Sequence, residues 1–108
     1  MAKYLLIESR GPFDSGDTRS YYDLAIGLAK AGDEVALFLV QNGVMGTRKG
    51  SKDVGLGAAA AAGVQVLADD FSLRERAIPA NGLIDGVSAA PLDTVIDELA
   101  EGRKAIWH

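Results

Sequence analysis

Residues Glu34 to Val40 read Glu-Val-Ala-Leu-Phe-Leu-Val, six apolar residues in succession after one acid. Such a run has no polar face to offer water, so it suits a strand covered on both sides, as in the middle of a parallel sheet. Parallel neighbours must be joined by long crossovers, ordinarily helices.

The flanking sequence supplies both kinds of element. Tyr4 to Ile7 is a second apolar run, followed by the turn-rich stretch Ser9 to Asp17. From about Thr18 to Ala31 the residues Tyr21, Leu24, Ala25 and Leu28 fall at i, i+3, i+4 and i+7, one face of a helix. Asp17 or Thr18 can cap its start, and Gly32 sits where a left-handed C-terminal residue is usual. Gln41-Asn42-Gly43 ends the central strand, and the basic, glycine-containing segment Gly46 to Lys52 reads as a mobile loop. An alanine-rich helix is predicted from about Asp53 to Ala62, closed by Gly63, and a third strand over Val64 to Leu67, ending at Ala68-Asp69-Asp70. Ser72 with Glu75 resembles a capping box opening one short helical turn. Pro79 and Gly82 break the chain before a short fourth strand at Ile84 to Val87. Pro91 suits a first helical position, Leu92, Val95, Ile96 and Leu99 repeat the helical stripe, and Gly102 closes that helix. Lys104 to Trp107 is the final strand. Strands alternating with helices imply right-handed βαβ units. The prediction is a three-layer α/β/α arrangement with a mostly parallel sheet of four to five strands, in one domain spanning 1–108.

Composition narrows the chemistry. Among 108 residues there is no cysteine, which removes disulfides, thiolate nucleophiles and sulfur-ligated metals. The single histidine, His108, is the last residue, so a zinc site or triad would have to be assembled from carboxylates around it. A formal net charge of −4 argues against binding nucleic acid by phosphate neutralisation. Glu8 interrupts the short N-terminal apolar run, which is neither a signal peptide nor a membrane span, and a cytoplasmic location is expected.

Ligands of open α/β sheets bind outside the carboxyl ends of the strands. Here those ends are Glu8-Ser9-Arg10-Gly11, Gln41-Asn42-Gly43, Ala68-Asp69-Asp70 and His108. Glu8 is a candidate acid or base, a carboxylate flanked by an apolar strand; a salt bridge to Arg19 or Arg76 is the structural alternative. Asp69-Asp70 could hold a divalent ion or do acid–base work, but such pairs also cap helical turns. Ser15-Gly16-Asp17-Thr18-Arg19-Ser20 puts hydroxyls, amides and an arginine at a helix start, where anions bind well, although ordinary capping explains it too. Gly55-Leu56-Gly57-Ala58-Ala59-Ala60 has the letters of a dinucleotide fingerprint, but a charged loop precedes it where a strand is needed. Close helix packing by small residues is its simpler reading. Arg48, Lys49 and Lys52 lack the phosphate-loop spacing and read as a solvated loop able to steer an anion. Trp107 suits core or subunit interface better than a ligand platform.

Taken in order, these segments resemble the DsrE/DsrF-like sulfur-relay family, which includes the TusD-like and YchN-like proteins. The resemblance rests on Tyr4 to Gly16, on Leu24 to Gly32, and on Glu34 to Val40 with Asn42-Gly43-Val44. It continues through Gly63-Val64-Gln65-Val66-Leu67-Ala68-Asp69, Arg76-Ala77-Ile78 and the last helix and strand. In sulfur-transferring members a cysteine at the end of the third strand accepts a persulfide, and an Arg-Gly-Ile follows. The matching positions here are Ala68 and Arg76-Ala77-Ile78, so the nucleophile is missing. A persulfide relay needs a thiolate to attack and to leave, and alanine does neither.

What the resemblance implies is the family pocket without its chemistry, lined by Asn42, Gly43, Ala68 and Asp69. With Glu8, Gly11, Arg19 and Arg76 these are the candidate pocket residues; no catalytic residue, cofactor or metal is expected. The resemblance also implies assembly, as a homo-oligomer (trimer or hexamer) or with other sulfur-relay subunits; no nucleic-acid or membrane partner is expected. The leading expectation is a non-catalytic accessory or interaction subunit linked to intracellular sulfur transfer. The alternatives are a module binding an anionic small molecule at the strand ends, through the Gly11–Gly16 and Arg48–Lys52 loops and Asn42, and an enzyme using Glu8 or Asp69.

Overall fold

The computed structural model describes residues 1–108. Five strands, β1 (Lys3–Glu8), β2 (Glu34–Leu39), β3 (Gln65–Asp69), β4 (Val87–Ala90) and β5 (Lys104–Trp107), form one sheet in the order β4-β3-β2-β1-β5. Every pairing is parallel. Leu6 stands between Leu37 of β2 and Ile106 of β5, so β1 is an interior strand and β2 lies at the centre of the sheet, as their apolar sequences demand.

Successive crossovers step outward from β1 to β4 through α1 (Thr18–Lys30), α2 (Leu56–Ala61) and α3 (Asp70–Glu75). The last connection, α4 (Asp93–Ala100), runs back past β1 to β5. Because right-handed crossovers in opposite directions lie on opposite faces, α1 and α2 share one face and α4 takes the other. The core divides accordingly. Leu6, Leu37, Leu39 and Val66 pack with Tyr21, Tyr22 and Ala25 of α1 and Leu56 and Ala59 of α2. Leu5, Ile7, Ala36, Phe38 and Leu67 form the smaller second layer, closed by Val95 of α4.

Details depart from the sequence reading. The buried face of α1 is Thr18, Tyr21, Tyr22 and Ala25, the predicted stripe rotated so that Leu24 is exposed. Gly32 does end the helix in the left-handed region, at φ +94°, where Asp33 N–H reaches the Leu28 carbonyl. Gly46 to Lys52 is not simply a loop. Gly46 and Thr47 are buried at the end of a 3₁₀ segment, Gln41–Thr47. Arg48 then bridges antiparallel to Leu83, with Ile84 N–H on the Thr47 carbonyl and Lys49 N–H on Gly82. This bridging engages Ile84, so β4 begins at Val87, where Ile84 to Val87 was expected.

The largest departure is α4. Of its predicted apolar stripe, Leu92, Ile96 and Leu99 are 58%, 61% and 48% exposed. The helix instead lays Val95 and Glu98 on the sheet. Glu98 pairs with Arg103, whose guanidinium also donates to the Tyr4 carbonyl (3.2 Å) and lies 3.5 Å from Glu34. A buried ion pair thus ties α4 to β1 and β2.

Candidate functional site

Glu8 is the last residue of β1 and is fully buried. On the adjacent edge, β5 delivers His108, whose backbone N–H continues the ladder to the Ile7 carbonyl (2.8 Å). The ring of His108 stacks on Tyr21 with centroids 4.8 Å apart, and the Tyr21 hydroxyl donates to the Ile106 carbonyl (2.6 Å). Nδ1 lies 2.6 Å from Glu8 Oε2 and Nε2 lies 3.1 Å from Asp17 Oδ2. A carboxylate on each side favours the doubly protonated, positively charged ring, in which both nitrogens donate. The hydrogen bond to Glu8 raises the His108 pKa above its ordinary 6.5, with Asp17 adding to the effect. Burial raises Glu8 from 4.5 against the pull of His108 and of the Arg10 N–H (2.9 Å).

Asp17 occupies the N-cap of α1, yet its side chain makes no cap bond. It takes hydrogen bonds from Ser15 Oγ, His108 Nε2 and Arg10 Nη1 (3.3 Å) instead. Ser15 first, then His108, lowers its pKa from 3.8. Burial also pushes Tyr21 upward and Tyr22 to about 12, so both phenols stay neutral beside the Glu8 charge.

The rest of the predicted set lies along the same sheet edge. Gly43 is pressed against the Glu8 backbone carbonyl, where a Cβ would collide. A Cβ on Gly11 would stand 3.2 Å from that of Asn42, so the loop after β1 packs directly on the 3₁₀ segment. Asn42 Oδ1 accepts both Nη2 (3.0 Å) and Nε (3.2 Å) of Arg76, whose Nη1 donates to the Ser72 carbonyl. Asp69 caps α3 by accepting Ser72 N–H (3.0 Å) and Oγ–H (2.7 Å), so it, and not Ser72, supplies the cap. Ser72 Oγ in turn accepts the Gln41 N–H (2.8 Å). Ala68 is fully buried between Leu39 and Ala89, its neighbours in β2 and β4.

Glu8, Gly11, Asn42, Gly43 and Arg76 therefore line one edge, with Ala68 and Asp69 at the neighbouring strand end. Arg19 lies apart. It pairs with Asp23 (3.3 Å), covers Gly55, and lines a groove of about 240 Å³ with Ser15, Thr18 and Lys52. Neither structural partner proposed for Glu8, Arg19 or Arg76, is its partner; His108 and the Arg10 amide are. Tyr21 was missed as a site residue; His108 was read only as one of the strand ends, and Asp17 only as part of the helix start, neither as a partner of Glu8. The signal available was that Glu8 and His108 both end strands; what the sequence lacks is the statement that those strands are neighbours.

The Arg76-Ala77-Ile78 segment retains a glycine-like backbone. Ala77 sits at φ +54°, in the left-handed region, and Ile78 N–H closes the turn on the Leu73 carbonyl.

No helix is long and apolar enough to cross a membrane. No curated protein matches the sequence. Among solved structures, the fold is similar to the YchN protein of E. coli, with TM-score 0.90, 23% identity and full coverage of both chains. It is also similar to MTH1491, a protein of unknown function from Methanobacterium thermoautotrophicum, with TM-score 0.72, 18% identity, and 97% and 96% of the two chains covered. The sequence itself matches the DsrE/DsrF-like family over residues 2–107. The chain belongs to the DsrE/DsrF-like family, whose members are associated with sulfur relay.

Proposed function

We propose that this chain is a cysteine-free accessory subunit of a cytoplasmic sulfur-relay system, acting by docking to cysteine-bearing subunits. The observation that carries this reading is Ala68. It stands at the end of β3, the place of the persulfide-bearing cysteine in sulfur-transferring members, and no other residue of the chain is a thiol. The surroundings of that position are nonetheless well ordered, by the Asn42–Arg76 fork and the Asp69 cap. An ordered surface without a nucleophile is suited to being recognised.

A surface for assembly supports the reading. Leu92, Ile96 and Leu99 on the outer side of α4, with Trp107 at 67% exposure on edge strand β5, place large apolar side chains in solvent. Apolar side chains grouped in this way favour association. Assembly through that face with a related, cysteine-bearing subunit buries them.

Affinity purification from the native host tests this, comparing the wild-type chain with Ile96→Asp. The proposal predicts retention of a cysteine-bearing family member by the wild type and its loss from the variant. Failure of the wild type to retain any such protein removes the reading.

A further inference from the structure

We propose that the ends of β1 and β5 form a binding site for a small oxyanion, filled in the free chain by the carboxylate of Asp17. An aspartate in the N-cap position ordinarily accepts a first-turn N–H of its helix. Asp17 does not. Its oxygens are instead satisfied by a side-chain donor from β5's end, His108 Nε2, by Arg10 Nη1 from the loop after β1, and by Ser15 Oγ. The end of β5 and the loop after β1 thus bring three side-chain donors onto one small anionic group, His108 and Arg10 on Oδ2 and Ser15 on Oδ1, an arrangement suited to an oxyanion.

The principal donor is fixed independently of Asp17. Buried Glu8 holds His108 Nδ1 and also takes the Arg10 backbone N–H, while Tyr21 stacks on the ring and is anchored to the Ile106 carbonyl. Removing the Asp17 carboxylate therefore leaves the imidazole in place with Nε2–H outward. The Asp17 side chain is 55% exposed, so the position it fills opens to solvent. An incoming oxyanion adds negative charge, and the uncapped first turn of α1 is where the Asp17 carboxylate it displaces can be held. The site also lies where strand order reverses, between β1 and β5, the usual ligand position in open α/β sheets.

The inference does not rest on the accessory-subunit reading, and its test uses the isolated chain. Inorganic sulfate and phosphate are titrated into wild type and Asp17→Ala near pH 6, followed by calorimetry and by the His108 ring ¹⁵N resonances. A tethered competitor acts at high effective concentration, so Asp17→Ala is expected to bind either ion at least about tenfold more tightly than wild type, with Nε2 shifting more than Nδ1. The double variant Asp17→Ala/His108→Gln is expected to lose that gain. Should that variant not fold, Asp17→Ala/Arg10→Gln takes its place and is expected to weaken the ion by a similar factor. Equal affinity in wild type and Asp17→Ala overturns the proposal, as does tight binding that survives loss of the His108 or Arg10 donor.

Discussion

At the end of β1, a fully buried carboxylate and an imidazole share a hydrogen bond of 2.6 Å, and that pairing governs how this part of the molecule responds to pH. His108 has its pKa raised by Glu8, so the stability it contributes is fully present below its ordinary 6.5 and is lost as pH rises through its folded value. Asp17 works in the opposite sense. Its pKa is lowered, so its contribution is present above 3.8 and lost as pH falls through its folded value. Urea unfolding is therefore expected to show stability declining as pH rises above about 6.5. Glu8→Gln removes the anion that holds the proton. In that variant the His108 pKa, followed by NMR titration, moves back toward 6.5 and the decline flattens; an unchanged titration contradicts the assignment. A second residue-scale prediction concerns Ala77 at φ +54°. A non-glycine residue there is strained, and glycine relieves the strain at some entropic cost. Ala77→Gly is therefore expected to raise stability by about 0.5 kcal/mol in denaturant unfolding.

Elements were legible in the sequence where burial on both faces left a continuous apolar run, and less so where the chain bends around its own loops. β2 is the clearest case, with Val35 to Leu39 all buried. β4 is the opposite case: Val87-Ser88-Ala89-Ala90 is a short edge strand of small residues, and Ile84, the apolar residue that drew the prediction upstream, is bound to Thr47. Helical periodicity announced α4 correctly but not which side faces inward. Spacing reports that a face is apolar and is silent on whether a sheet or another subunit covers it. What fixes the orientation is the Glu98–Arg103 pair, two charged residues that pattern reading assigns to solvent. Removing one member of a buried ion pair strands the other, so Glu98→Ala is expected to cost about 3 kcal/mol in urea unfolding. A loss near zero would show that α4 is held by Val95 alone. The candidate site was half legible for a related reason. Asn42, Gly43 and Gly11 were placed together because they follow strand ends, whereas the meeting of Glu8 with His108 depends on β5 lying beside β1, a fact of topology. Asp17 was read as a helix cap because its position says so; only the structure shows its side chain turned to His108.

For the whole molecule, the two faces of the sheet are unequal. One carries α1 and α2 over the larger core, and the other carries α4, whose outward leucines and isoleucine remain in water. The proposed role links this asymmetry to the missing thiol: a chain that carries no persulfide of its own contributes through its surface. Ile96→Asp is expected to leave the thermal unfolding of the isolated chain within about 0.5 kcal/mol of wild type, since the side chain is 61% exposed, while abolishing assembly. Native mass spectrometry of the protein, gently purified from its source, tests the central claim most directly. The account predicts a mixed complex containing this chain and a cysteine-bearing member of its family. A chain found only by itself or only with its own copies would contradict it.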